Sequence, residues 1–153
     1  MSTAGPDVDD AIRTLLLLMP RMVGRAKRLP VPGELRSLAL APRHLSLLAY
    51  LLFDGESSVN ELAERLEVAP TTVSLMVGEL SRKGVLERRE DPADRRRKLV
   101  SITAERRPAI DGWLGRSAAA WREALGPLTA DERRTFVETL AAYERHLGEG
   151  EQP

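Results

Sequence analysis

A mainly α-helical chain carrying one small β-wing is what this sequence predicts, and three observations predict it. Apolar residues recur at spacings of three and four along most of the 153 residues, the period of amphipathic helices. Two short helical segments, 59–66 and 70–83, are separated by a turn of about three residues. Directly after them come two strand-like runs, Val85–Arg89 and Leu99–Thr103, joined by Asp91-Pro92-Ala93-Asp94 and the basic tail Arg95-Arg96-Arg97-Lys98. That order describes a winged helix-turn-helix with further helices on both sides.

The first helix is expected from Val8 to about Leu29, with Val8, Ile12, Leu15, Leu16, Met19, Met22 and Val23 at helical spacing. Pro20 sits inside it, and a kink or break is expected there because proline removes an internal hydrogen bond and crowds the preceding turn. Leu29-Pro30-Val31-Pro32-Gly33 reads as a linker. A second helix is expected from Pro42 to Phe53, ending at Asp54-Gly55.

Ser58-Val59-Asn60-Glu61 has the form of a capping box, in which serine and glutamate satisfy free N–H groups at a helix start. The helix behind it would bury Val59, Leu62, Ala63 and Leu66. Pro70 suits the first position of the next helix, and Gly84 suits its C-terminal end. Val73, Met76, Val77 and Leu80 form the inner face of that helix, which leaves Thr71, Thr72, Ser74, Leu75, Gly78 and Arg82 toward the outside. After the wing, Ile110, Trp113, Leu114, Ala118, Trp121 and Leu125 mark a long helix with Pro108 near its start. Thr129-Ala130-Asp131-Glu132 is a second capping box before a last helix burying Phe136, Val137, Leu140 and Leu147.

The expected organisation is an N-terminal helix and linker over 1–40, a winged helix-turn-helix over 41–104, C-terminal helices over 105–148 and a flexible tail over 149–153. The first and last parts each carry an apolar stripe that a winged helix of about 65 residues cannot cover, so both are assigned to dimerisation.

Composition narrows the function. The absence of cysteine removes disulfides, thiolate metal sites and thiol redox sensing. His44 and His146 are the only histidines, and neither a nucleophile motif nor a phosphate loop is present, so neither enzyme nor metal nor cofactor is expected. Apolar runs such as Leu15–Met19 and Leu47–Phe53 fall far short of the ~18 residues of a membrane span, and the N-terminus lacks the pattern of a secretory signal. A cytoplasmic protein is expected.

The net charge is zero, but residues 82–107 hold ten cations against five anions, so that segment is +5 and the remainder −5. Clustered charge matters more to phosphate binding than the total. A second helix that enters the major groove and an arginine-rich wing suited to a narrow minor groove point to duplex DNA. The hydroxyls of Thr71, Thr72 and Ser74 can bond phosphates or base edges, and Leu75 suits a thymine methyl group. With Arg82, Asp94, Arg95, Arg96, Arg97 and Lys98 these form the expected DNA-binding set. The rival reading is a winged helix used for protein–protein contact, which needs no cation cluster.

Val59–Leu66, Thr72-Val73-Ser74, Leu80-Ser81-Arg82-Lys83-Gly84-Val85-Leu86 and Asp91-Pro92-Ala93-Asp94-Arg95-Arg96 resemble the multiple antibiotic resistance regulator (MarR) family of winged-helix transcription factors. The resemblance implies a homodimeric regulator, mostly a repressor, bound to a pseudo-palindromic operator. It also implies that Asp94 orients Arg96 into the minor groove and that a small ligand releases DNA from a cleft. Met19, Met22, His44, Tyr50 and Trp113 fall on segments that border such a cleft, as does Arg43. The sequence departs from the family pattern in three places. Leu75 and Glu79 stand where arginine is frequent, Arg106 replaces a glycine after the wing, and Pro20 interrupts the first helix.

Overall fold

The computed structural model describes residues 5–150. The chain divides into two units, residues 1–113 and 114–153. The first unit holds α1 (Val8–Lys27), α2 (Gly33–Arg36), α3 (Pro42–Asp54), β1 (Ser57–Ser58), α4 (Val59–Leu66), α5 (Pro70–Arg82), β2 (Leu86–Glu90), β3 (Lys98–Ile102) and the start of α6 (Arg107–Leu125). The second holds the rest of α6 and α7 (Ala130–Glu149).

The core of the first unit lies where α3, α4 and α5 meet the sheet. Leu47, Leu48 and Leu51 of α3, Leu62 of α4, and Val73, Val77 and Leu80 of α5 are fully buried, as are Val85, Val100 and Ile110. Burying one such side chain is worth about 1.5–3 kcal/mol, so this aliphatic cluster is the main support of the unit. The inner face expected of α5 is the one observed. In α4, Leu62 and Ala63 are buried while Val59 and Leu66 are half-buried.

The sheet is antiparallel with order β1–β3–β2. β2 pairs with β3 from Leu86 opposite Ile102 to Glu90 opposite Lys98, and β1 adds Ser57 opposite Val100. Both wing strands are displaced by one residue from their expected limits. Thr103 closes the wing by donating its hydroxyl to the Gly84 carbonyl at 2.8 Å and its N–H to the Val85 carbonyl at 2.9 Å. Gly84 sits at φ +71°, a conformation that favours glycine.

Several expectations are corrected. α1 is continuous through Pro20, so the break expected there does not occur; the helix forgoes one internal hydrogen bond and continues on either side. The 29–33 linker is followed by the single turn α2, with Leu35 buried. Pro108 is the second residue of α6, where no intrahelical N–H is required, so it does not disturb the helix start. The stripes on the flanking helices are not buried in the single chain: Val8 is 75% exposed, and Phe136, Val137, Leu140 and Leu147 are all exposed. Trp121 and Phe136 do meet, with ring centroids 5.8 Å apart. α7 extends through Glu149, so the expected tail loses its first residue to the helix, and residues 151–153 lie outside the described residues.

Candidate nucleic-acid interface

The helix-turn-helix is built from two local devices. Ser58 Oγ accepts from the Glu61 N–H and Glu61 Oε2 accepts from the Ser58 N–H, both at 3.2 Å, which completes the capping box of α4. At its other end, Glu67 adopts φ +55° and the Val68 N–H reaches the Ala63 carbonyl at 3.1 Å, ending α4 so that Pro70 opens α5 three residues on. With Val73, Met76, Val77 and Leu80 turned inward, Thr71, Thr72, Ser74, Leu75 and Arg82 are left exposed on the outer face.

The wing tip is ordered by two aspartates. Asp91 Oδ1 accepts from the Ala93 N–H at 2.9 Å, and the Asp91 N–H reaches the Arg97 carbonyl at 3.0 Å. Asp94 Oδ1 accepts from the Arg96 N–H at 3.0 Å. The link between Asp94 and Arg96 therefore runs through the main chain of the arginine, which fixes where its side chain leaves the loop.

The four consecutive cations divide into two pairs. Arg95 and Arg96 have no ion-pair partner among the described residues and are exposed. Arg97 is turned back onto Glu61 and has Asp91 Oδ2 3.7 Å from its Nε, while Lys98 pairs with Glu90 at 3.3 Å. Glu61 thus serves the α4 cap through one oxygen and the wing through the other. Arg89 is likewise bonded to Glu56, whose carboxyl that hydrogen bond holds below its ordinary range.

Arg88 is a basic residue that the sequence reading did not select. Arg82 of α5 and Arg88 of β2 bring guanidinium nitrogens to within 3.4 and 3.9 Å of where a Cβ on Gly78 would lie. Neither has an acidic partner among the described residues. The signal that finds Arg88 is strand alternation, since it shares a face with buried Leu86.

Glu79, also on α5, faces α3. His44 is only 2% exposed; its Nδ1 accepts from the Ala41 N–H at 3.0 Å, so Nε2 carries the proton donated to Glu79 Oε2, also 3.0 Å away. Arg43 completes the group at 3.2 Å. The His44 hydrogen bond, with a further contribution from Arg43, lowers the Glu79 pKa against an opposing effect of burial.

The five candidate cleft residues are dispersed among separate local contacts. His44 is occupied as described, and Tyr50 donates its hydroxyl to the Arg65 carbonyl at 3.1 Å with the Arg65 guanidinium above its ring. Met22 is exposed, and Met19 and Trp113 are half-buried. Tyr50 borders a surface hollow with Ser46, Ala49, Phe53 and Asp54, which includes none of the other four.

Residues 40–97, from the start of α3 to the wing, match the MarR family. Over that segment the chain is similar to the MarR family. The HTH-type transcriptional repressor MdtR of Bacillus subtilis is 34% identical over 61% of this chain and 60% of its own length. The uncharacterized HTH-type transcriptional regulator YdgJ of the same organism is 27% identical over 71% of this chain and 66% of its own. The chain thus aligns with less than two thirds of either relative's length. A solved structure of a probable transcriptional regulator from Pseudomonas aeruginosa superposes with a TM-score of 0.56 at 26% identity, covering 89% of this chain and 98% of that one. Among the described residues no helix is long and apolar enough to cross a membrane, and no three His, Asp or Glu side chains are grouped to hold a metal ion.

Proposed function

We propose that this protein is a sequence-specific DNA-binding transcriptional regulator that acts in the cytoplasm as a homodimer, most simply as a repressor. The observation that carries the reading is the pair of unpartnered cations at the wing tip, Arg95 and Arg96, next to a second helix whose outer face is free. In this reading α5 enters the major groove with Thr71, Thr72, Ser74 and Leu75 toward base edges. Arg82 and Arg88 take backbone phosphate beside it, and the wing arginines enter the minor groove. Arg97 and Lys98 leave the direct-contact set, because their charges are already satisfied within the protein. Asp94 positions Arg96 rather than touching DNA.

The homodimer is supported by the exposed stripes, Ile12, Leu15 and Leu16 on α1 and Val137, Leu140 and Leu147 on α7, each of which needs apolar cover that the single chain lacks. Two-fold pairing would present two winged helices to a pseudo-palindromic operator. Release by a small ligand belongs to the same reading through the family, with Met19, Met22, His44, Tyr50 and Trp113 as its candidate lining. MdtR bears the name of a repressor, which agrees with the sign chosen.

The test is binding of the full chain to DNA upstream of its own coding sequence, against scrambled DNA of equal length, at two salt concentrations. Saturable, sequence-selective binding by a dimer is expected. Equal binding to both DNAs would remove specific regulation, and no binding would bring the protein-interaction reading forward.

A further inference from the structure

We propose that the recognition helix reads thymine, and that it does so through contact between Leu75 and the thymine 5-methyl group; the inference rests on the DNA-binding reading above. Leu75 is 70% exposed, an apolar side chain standing in water on a helix that otherwise turns its apolar residues inward.

The neighbours of Leu75 define what it can meet. From Pro70 to Ser81 the helix contains no Arg, Lys, Asn or Gln, the side chains that recognise guanine or adenine by paired hydrogen bonds in the major groove. Its one charged residue there, Glu79, is engaged by His44 and Arg43. Base recognition is left to the hydroxyls of Thr71, Thr72 and Ser74, which serve several bases, and to Leu75. The only apolar feature that a base pair offers in the major groove is the thymine methyl.

Charge and register favour DNA over a protein as the occupant of this face. Arg82 and Arg88 converge over Gly78, three residues beyond Leu75 and so about 4.5 Å farther along the helix axis. Arg95 and Arg96 lie on the wing of the same unit, and none of the four has an acidic partner among the described residues. An apolar partner surface would have to cover these cations uncompensated, whereas phosphates on either side of a groove compensate them and set Leu75 at the level of the base edges. The operator half-site is then defined by thymine at this position, with no requirement for guanine under α5.

The test selects duplexes that the full-length protein enriches from a randomised library, then replaces single thymines in them by deoxyuridine, which lacks only the methyl group. At one position per half-site, wild-type affinity should fall about fourfold for each methyl removed, while Leu75→Ala should bind the two duplexes equally. Leu75→Arg should move the preference at that position toward guanine. Equal wild-type affinity for thymine and uracil throughout, or a penalty that persists in Leu75→Ala, overturns the proposal while leaving the regulator intact. A Leu75→Ala protein that changes its oligomeric state but not its DNA selectivity also overturns it, by placing Leu75 in a protein contact. If no duplex is enriched at all, the regulator reading itself fails and the inference falls with it.

Discussion

The winged-helix centre and the flanking helices carry similar apolar periodicity but meet different fates. In α5 four apolar residues at helical spacing are buried, whereas neither α1 nor α7 has a buried residue. An amphipathic stripe states that a face needs cover, and it does not state whether that cover comes from the same chain. In the centre the cover is the small sheet and two neighbouring helices. On the flanks the cover is assigned to a second copy in the proposed homodimer.

The largest expected effect tests that difference directly. Placing aspartate at Leu16 and Val137 together should convert the proposed dimer to a monomer and weaken operator binding by about 10²–10⁴-fold, because the second half-site is then no longer held at high effective concentration. Sedimentation and operator titration check it. A doubly substituted protein that remains dimeric would place the interface elsewhere.

A core substitution sharpens the other side of the comparison. Leu80→Ala should cost about 2–5 kcal/mol in urea unfolding, through lost burial and the cavity left behind. Leu147→Ala, at an exposed site of the single chain, should act mainly on the dimer, so that its cost depends on protein concentration.

The wing offers a finer contrast within the centre itself. Arg95→Ala and Arg96→Ala should each reduce the slope of log affinity against log salt by about 0.9, the loss of one phosphate neutralised. Arg97→Ala should leave that slope unchanged, since its charge is spent on Glu61. Equal slope changes for all three would return Arg97 to the DNA-contacting set.

That contrast also marks the limit of what was legible in sequence. The capping boxes at Ser58 and Thr129, Pro70 and the inner face of α5 are local signals, and each produces the element expected. β1 and α2 are two and four residues long, too short for a period to register. The partition of Arg95, Arg96, Arg97 and Lys98 is set by Glu61, 36 residues from Arg97 in the chain, and four adjacent cations look alike until the fold brings that carboxylate to one of them. Arg88 was hidden because its neighbour, Arg82, lies on a different element. The exposure of Phe136, Val137, Leu140 and Leu147 was illegible for another reason, since periodicity marks a face and says nothing of its occupant.

The smallest expected effect concerns the tie between α3 and α5. Glu79 has a folded pKa below its ordinary value of 4.5, chiefly because His44 donates to it. A carboxyl lowered in this way stabilises the fold above the unfolded pKa, and the contribution is lost as pH falls through the folded value. Its side chain is 35% exposed and that of Arg43 60%, so solvent weakens the pair. Glu79→Gln should therefore lose little stability at pH 7 and show a shallower decline than wild type below pH 4.5, measured by urea unfolding across that range. Glu56→Gln, which releases Arg89 at the edge of the wing, should behave in the same direction. If Glu79→Gln instead declines as steeply as wild type, the carboxylate does not bind α5 to α3, and the orientation of the recognition helix rests on Val73, Val77 and Leu80 alone.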